Sequence, residues 1–156
     1  MMRIEIPGWG HLEAEYLVLD MNGTIATDGK ISPEVKEKIN LLSQSLKIYV
    51  LTADTHGTAA QEVEGLDAEL IAIGDQESKE AKRIFLSRIA PEKTIAIGNG
   101  SNDQLVLKEA ALGIAVLGDE GLSRMAFQSA DVSVRDVLSA LDLLLRPKRL
   151  IATLKE

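Results

Sequence analysis

The sequence has 156 residues, 46% of them hydrophobic and 26% charged, which is the composition of an ordinary globular domain. The net charge of −7 argues against general binding to nucleic acid or to anionic membranes, because both need clustered Lys and Arg. The absence of cysteine excludes disulfides, thiolate metal sites and cysteine nucleophiles.

The N-terminal region has no apolar run long enough for a signal peptide, and no later stretch approaches the length of a membrane span. We therefore expect a cytoplasmic protein. Residues 3–6 and 12–15 flank the turn-forming sequence Pro7-Gly8-Trp9-Gly10, which predicts a β-hairpin within residues 1–15. No linker, repeat or low-complexity segment interrupts the chain, so we expect one domain over residues 1–156.

Short apolar segments alternate with amphipathic segments from residue 16 onward. Tyr16-Leu17-Val18-Leu19 is a continuous apolar run, as expected of a strand that is buried on both faces. Strands are predicted at residues 16–19, 47–51, 69–73, 94–97, 113–117 and 131–134. Helices are predicted after Ser32, at 58–66, 78–89, 103–110 and 122–129, and from Asp136 to Pro147. This alternation predicts an α/β fold with right-handed crossovers and a doubly wound parallel sheet.

Polar residues follow three of the predicted strands, at the sheet edge where such folds bind ligands. These segments are Asp20-Met21-Asn22-Gly23-Thr24, Thr52-Ala53-Asp54 and Gly98-Asn99-Gly100-Ser101-Asn102-Asp103. A carboxylate at a strand end can attack phosphorus and carry the phosphoryl group, and oxygen ligands suit Mg²⁺. Each segment also has an ordinary structural explanation, because Asp caps turns and Asn-Gly is a common turn dipeptide. The ordered combination of all three favours a phosphoryl-transfer site.

These three segments resemble the motifs of the haloacid dehalogenase (HAD) superfamily, and within it the phosphorylation domain of P-type ATPases. Residues 20–24 resemble the first motif, D-x-D-G-T, which is D-K-T-G-T in the ATPases. Residues 52–59 resemble the ATPase motif T-G-D-x-x-x-T-A, and residues 98–103 resemble G-D-G-x-N-D. The resemblance implies a Rossmann-like α/β fold over residues 16–136. The gaps between the motifs have no room for a cap domain or a nucleotide-binding insertion, so a transport ATPase is excluded.

The resemblance also implies a role for each matching residue. The catalytic set is Asp20, Asn22, Thr52 and Lys82; the phosphate- and loop-binding set is Gly23, Thr24, Ala53 and Asn102; the Mg²⁺ set is Asp20, Asn22, Asn99 and Asp103. Lys79 competes with Lys82 as the motif lysine, and a surface role is open for either. The apolar residues Phe85, Leu86 and Ile89 favour Lys82, because they would form the buried stripe that follows the lysine in similar sequences.

Two residues depart from the family pattern. Asn22 replaces the aspartate that acts as general acid and base in the phosphatases, and an amide cannot titrate. Asn99 replaces a Mg²⁺-binding aspartate, so its neutral oxygen contributes less to a hard cation, although Asp103 could compensate in part. We therefore expect slow hydrolysis and weakened metal binding.

Two functions fit this pattern. The first is a Mg²⁺-dependent phosphohydrolase or phosphotransferase that acts through an aspartyl phosphate, on a phosphorylated small molecule or protein. The second is a non-catalytic HAD-like binding or regulatory module, which retains the fold and binds a phosphorylated partner, an ion or another protein. We favour the enzyme, because a purely structural role would not require Asp20, Thr52 and Asp103.

Two further features have more than one interpretation. His56 lies within the second motif, where it is either a solvated loop residue or a neighbour of the site. The apolar segment 143–151 either packs a terminal helix onto the core or forms a contact in a homo-oligomer.

Overall fold

The computed structural model describes residues 1–53, 58–74 and 78–156. Within these ranges a six-stranded parallel sheet has helices on both faces, and a two-stranded sheet lies at the N-terminus. The strands are β1 (Met2–Ile6), β2 (Gly10–Ala14), β3 (Tyr16–Asp20), β4 (Lys47–Thr52), β5 (Glu69–Ala72), β6 (Thr94–Gly98), β7 (Leu112–Val116) and β8 (Val132–Val134). The helices are α1 (Pro33–Leu42), α2 (Thr58–Glu62), α3 (Ser78–Ile89), α4 (Gln104–Glu109), α5 (Arg124–Ser129), α6 (Val137–Leu145) and α7 (Pro147–Leu154). The predicted α/β fold with a doubly wound parallel sheet is confirmed.

The strand order of the large sheet is β5-β4-β3-β6-β7-β8, and every neighbouring pair is parallel. The chain proceeds outward from β3 through β4 to β5, and then returns to the other side of β3 with β6. The order therefore reverses between β3 and β6. The carboxyl ends of these two strands flank the crevice where open α/β sheets bind their ligands.

The central strands are apolar throughout because the sheet separates two hydrophobic cores. In β4, Ile48 and Val50 belong to a core that includes residues of α1, α6 and α7. Tyr49 and Leu51 enter the other core, which includes residues of α3, α4 and α5. Burial of both faces explains why these strands appear in the sequence as continuous apolar runs rather than as alternating ones.

The N-terminal hairpin packs against the first of these cores. β1 and β2 pair antiparallel with Met2 opposite Ala14, and α7 contacts β1. Ile4, Ile6 and Leu12 of the hairpin are buried in that core. The hairpin therefore covers part of one face of the molecule, away from the carboxyl ends of the parallel strands.

Several helices begin or end at residues other than those predicted. α2 ends at Glu62 rather than at residue 66, and α4 follows a 3₁₀ turn, Ser101–Asp103, instead of beginning at residue 103. α5 begins at Arg124 rather than at residue 122, because the Ser123 hydroxyl accepts a hydrogen bond from the Ala126 amide at 3.0 Å and caps the helix. These differences shift boundaries and leave the order of elements unchanged.

The helix predicted to start near Asp136 and meet Pro147 is present, but the prediction that it is the last helix was wrong, because a second helix follows it. α6 ends at Leu145, and Pro147 opens α7. Proline is accommodated in the first turn of a helix, where its missing N–H has no intrahelical partner anyway. Pro147 therefore begins a helix as well as ending one.

Residues 21–32, between β3 and α1, form a short loop. No helix in the described ranges has both the length and the hydropathy needed to cross a bilayer.

Candidate active site

Asp20 is the last residue of β3 and begins the candidate site. The chain turns immediately after it: the Gly23 amide donates to the Ala26 carbonyl at 2.8 Å, and the Ala26 amide donates to the Met21 carbonyl at 2.9 Å. Gly23 has φ +81°, and a Cβ there would lie 2.6 Å from Asn99 Nδ2. Glycine is thus required both for the turn and for the close approach of this loop to β6.

Lys82 is the lysine that reaches Asp20. It extends from α3, only 2% of its surface is exposed, and its Nζ lies 3.0 Å from Asp20 Oδ1. Nζ also donates to Asn102 Oδ1 at 3.2 Å and to Asp103 Oδ1 at 2.8 Å. Lys79 is exposed. The structure therefore brings Lys82, and not Lys79, together with the strand-end residues.

Both carboxylate oxygens of Asp103 are engaged within the protein. Oδ1 accepts from Lys82, and Oδ2 accepts from the main-chain amides of Asn99 at 3.1 Å and Gly100 at 3.0 Å. These bonds fold the 3₁₀ turn after β6 back onto the strand end. Asp103 therefore positions both the lysine and the loop.

Thr24 and Asn99 connect the first and last motifs. The Thr24 hydroxyl lies 3.0 Å from Asn99 Oδ1 and 3.3 Å from Asp20 Oδ2, and its single proton can serve one of them at a time. Asn99 Nδ2 donates to the Gly121 carbonyl at 3.1 Å, and the Ser123 amide donates to the Asn99 carbonyl at 2.9 Å. An aspartate at position 99 could not donate to Gly121.

The loop after β7 thus belongs to the site, although the sequence analysis missed it. Its contacts to Asn99 come from Gly121 and Ser123. The one sequence feature that points to this loop is the pair of glycines at 118 and 121, which follow a predicted strand. Because β7 lies beside β6, its carboxyl end meets the same edge of the sheet.

A cavity of about 430 Å³ opens beside Asp20. It is lined by the predicted residues Asp20, Asn22, Ala53, Lys82, Asn99 and Asn102, and by Gly100 and Ser101. The other predicted residues lie around it: Thr52 is buried at the end of β4, Thr24 and Asp103 are buried, and Gly23 forms the turn after β3. Asp54 and His56 of the second motif lie outside the described residues.

A larger cavity, about 690 Å³, lies at the opposite end of the sheet, where β4 and β5 begin. Its charged residues include Lys47 and Glu69, whose side chains are more than half exposed and pair with each other at 3.7 Å. It lacks the buried, converging polar groups of the cavity beside Asp20, so we assign the candidate site to the smaller cavity.

Burial and neighbouring charges shift the pKa values of Asp20 and Lys82. Burial raises the pKa of Asp20 to about 8; the Asp103 carboxylate adds to this effect and Lys82 opposes it. Burial works against the charged form of Lys82, but the Asp103 and Asp20 carboxylates raise its pKa above the ordinary value. A divalent cation beside Asp20 would lower the pKa of Asp20, because it stabilises the ionised carboxylate.

The donors around Asp20 suit a hard cation. Asp20 offers a carboxylate, and Asn22 and Asn99, which also line the cavity, carry neutral oxygens of the kind that bind hard cations. No group of three or more His, Asp or Glu side chains able to hold a metal occurs within residues 1–53, 58–74 and 78–156. The candidate cation site therefore has one carboxylate from the cavity lining and needs oxygens from a ligand or water to complete it.

Comparison with known proteins finds one curated relative with a stated activity and several solved structures of the same fold. No family model matches it. Over 125 residues, or 77% of the chain, it is 30% identical to the soluble P-type ATPase-like phosphatase of Methanocaldococcus jannaschii, and it spans 45% of the length of that protein.

Solved structures share the fold at low sequence identity. The 3-deoxy-D-manno-octulosonate 8-phosphate phosphatase of Moraxella catarrhalis, solved with magnesium, phosphate and the sugar product, superposes with a TM-score of 0.71 at 16% identity, covering 91% of this chain and 94% of that one. A putative HAD superfamily hydrolase of Legionella pneumophila superposes with a TM-score of 0.71 at 15% identity, covering 90% and 87%.

The fold and the strand-end pair of Asp20 and Lys82 define a class of α/β protein that holds a carboxylate and a buried lysine at the carboxyl end of a central strand. The fold is that of haloacid dehalogenase superfamily structures, and the sequence is homologous to a soluble P-type ATPase-like phosphatase.

Proposed function

We propose that the chain is a slow phosphohydrolase or phosphotransferase that carries the phosphoryl group on Asp20. The observation that carries this proposal is the geometry at the end of β3, where the Asp20 carboxylate lines an open cavity with a buried lysine ammonium 3.0 Å away. A carboxylate in this position can attack phosphorus, and the ammonium can hold the phosphoryl oxygens as charge moves.

The remaining residues have supporting roles in this proposal. Thr52 and Asn102 bind phosphoryl oxygens beside Lys82, and the main chain at Ala53 contributes an amide. Gly23 and Thr24 hold the first-motif loop. Asp103 keeps the Lys82 ammonium directed at Asp20, since it accepts from Nζ at 2.8 Å while it is itself fixed by two main-chain amides.

We propose Mg²⁺ as the cofactor, held by the Asp20 carboxylate, the Asn22 carbonyl and the Asn99 amide oxygen, with Asp103 beside them. Mg²⁺ commonly uses one or two carboxylates and completes its shell with substrate phosphate and water. When bound it would offset the negative charge that Asp20 and the phosphoryl group bring together. The Moraxella catarrhalis phosphatase with the same fold holds magnesium and phosphate, which supports this choice.

Asn22 determines the rate at which the aspartyl phosphate is hydrolysed. Hydrolysis of the aspartyl phosphate needs a water that has lost a proton, and the amide of Asn22 cannot accept one. General acid–base help contributes about 10²–10⁴-fold, so the phosphoenzyme should be long-lived.

A phosphorylated small molecule or protein is the proposed partner; the cytoplasmic location and a homo-oligomer remain predictions from the sequence. The alternative function, a non-catalytic binding module, is favoured by one observation: Asn22 and Asn99 leave Asp20 as the one carboxylate that lines the described part of the cavity. The assay below separates the two functions.

Hydrolysis of p-nitrophenyl phosphate with and without Mg²⁺ tests the proposal. We expect slow, Mg²⁺-dependent release of phosphate that disappears in Asp20→Asn. Asp131→Asn is the matched control, because Asp131 accepts a hydrogen bond from the Gly113 amide at 2.8 Å and does not line the cavity. Equal activity of Asp20→Asn and the control, or no activity with any divalent metal, would favour the binding module.

A further inference from the structure

The loop after β3, residues 21–32, carries most of the first motif and contains a tight turn. The Thr27 and Lys30 main chains pair with each other at 3.0 Å in both directions, and Asp28 and Gly29 between them have φ +52° and +79°. Positive φ at both central residues is typical of the Asp-Gly turns that close β-hairpins. These bonds fix the turn itself, but they do not fix where the loop lies relative to the other strand ends.

Two carboxylates from other elements bind this loop through its main-chain amides. Glu62 Oε1 accepts from the Ile31 amide at 2.6 Å, and Glu120 Oε2 accepts from the Asp28 amide at 3.1 Å. Hydrogen bonds to an ionised acceptor are stronger than those to a neutral one. The Glu62 bond is partly buried and the Glu120 bond is exposed, so we expect Glu62 to contribute more.

The two glutamates reach the loop from opposite sides of the site. Glu62 ends α2, which follows β4, and Glu120 belongs to the loop after β7. In the sheet β4 lies on one side of β3, whereas β6 and β7 lie on the other. The loop is therefore held from both sides of the strand that ends at Asp20.

The position of each glutamate favours a role outside its own element. Glu62 is the last residue of α2, where the negative end of the helix dipole disfavours a carboxylate. Glu120 is followed by Gly121, whose carbonyl accepts from Asn99 of the last motif at 3.1 Å. The loop after β7 thus contacts the last motif through Gly121 and the loop after β3 through Glu120.

Resting on the proposed function, we propose that Glu62 and Glu120 are positioning residues, whose carboxylates hold the loop after β3 so that Asn22 stays at the cavity beside Asp20. Neither glutamate is among the residues that line that cavity, so both act through the loop. When the loop is held, Asp20 and Asn22 keep their places as a phosphoryl group approaches, and no ordering of the loop has to accompany the reaction.

The rate at which acetyl phosphate and Mg²⁺ phosphorylate Asp20 tests the proposal. We expect Glu62→Ala to lower this rate about tenfold, as the loss of a hydrogen bond to a charged group predicts, and Glu120→Ala to lower it less. Glu62→Gln should restore most of the rate, because the side chain of Gln carries an acceptor oxygen in the same place. Glu64→Ala and Asp119→Ala, which remove neighbouring exposed carboxylates, should leave the rate unchanged.

Trypsin cleavage after Lys30 measures whether the loop is held, independently of the reaction. Lys30 is exposed in the turn, and it precedes Ile31, whose amide binds Glu62. Cleavage requires local opening, so Glu62→Ala should be cut there faster than the wild type, and Glu62→Gln at nearly the wild-type rate. Urea denaturation is the control for folding, because a variant that remains almost fully folded cannot lose tenfold in rate through lower global stability.

Wild-type rates of phosphorylation in Glu62→Ala and Glu120→Ala would overturn the positioning role. So would an equal loss in Glu62→Gln, or slower phosphorylation without faster cleavage after Lys30. In each of these cases the wild type is still phosphorylated on Asp20, and the proposed function stands. If the wild type itself is not phosphorylated, the proposed function fails and the positioning role fails with it.

Discussion

Lys82 is the residue on which the metal-free site depends most. Two carboxylates, Asp20 and Asp103, lie within 3.0 Å of its Nζ, and the three side chains are almost completely enclosed. Removal of one partner from a buried ion pair leaves an uncompensated charge and is strongly destabilising.

Lys82→Met should therefore lower the free energy of unfolding by about 3–5 kcal/mol in urea denaturation. Lys79→Met, the same change on an exposed lysine of the same helix, should stay within about 0.5 kcal/mol of the wild type. Equal midpoints for the two variants would mean that the Lys82 cluster does not stabilise the fold.

Asp20 should make stability depend on pH. Its pKa is about 8 in the folded protein, mainly because of burial, and about 4 in the unfolded chain. Between these values the folded state binds the extra proton, so this contribution to stability is complete below pH 4 and is lost as the pH rises through about 8.

Without added metal, the wild type should therefore lose more stability between pH 5 and pH 8.5 than Asp20→Asn does, as measured by urea unfolding. Addition of Mg²⁺ should reduce the loss in the wild type, because the cation stabilises the ionised carboxylate. Parallel pH profiles for the two proteins would contradict the raised pKa.

Asn99 should limit the affinity for metal. Asn99→Asp adds a carboxylate at the cavity and should strengthen Mg²⁺ binding roughly tenfold by calorimetry, since ligand charge tunes affinity. It should also destabilise the metal-free protein, because the donor to the Gly121 carbonyl is lost.

Asn40→Asp provides the matched control for that experiment. Asn40 Nδ2 donates to the Gly65 carbonyl at 2.8 Å, so it bridges two segments as Asn99 does, but it lies outside the cavity. Unchanged metal affinity in Asn99→Asp would exclude residue 99 from the cation site.

At the scale of elements, apolar runs and helix periodicity predicted the order of the strands and α-helices that the structure describes between residues 16 and 145. The features that these sequence patterns did not predict depend on tertiary contacts. α7 was missed because Pro147 is compatible with both the end and the start of a helix. β8 begins at Val132 rather than at residue 131, whose side chain accepts a hydrogen bond from the Gly113 amide.

β7 and α4 pack so closely that one glycine is required between them. A Cβ on Gly113 would overlap the main-chain oxygen of Leu107 in α4. Gly113→Ala should therefore destabilise the protein by about 1–3 kcal/mol in urea denaturation. Gly74→Ala, where a Cβ would meet nothing within 4 Å, should change stability little, and similar losses in both would show that the packing is looser than the structure indicates.

At the scale of the whole molecule, most of the candidate site followed from motifs at strand ends, because parallel strands bring their carboxyl ends to one edge. The apolar residues after Lys82 also favoured it over Lys79, and Lys82 is the lysine that reaches Asp20. The contact from Asn99 to Gly121 did not follow, because it depends on how the loop after β7 folds, which is not a property of local sequence.

The site beside Asp20 is open on the side of the loop after β3. The loop after β3 is short and adds no cover, so the cavity beside Asp20 opens to solvent. The residues around Asp20 contact the region where a phosphoryl group would bind. Few of the described residues lie where they could contact the rest of a substrate.

The most direct test of the central claim is the mass of the protein after incubation with acetyl phosphate and Mg²⁺, followed by peptide mapping. We predict one phosphoryl group on Asp20 that decays slowly and is absent in Asp20→Asn. An unmodified protein under these conditions with several divalent metals, or a phosphoryl group on another residue, would contradict the assignment of Asp20 as the nucleophile.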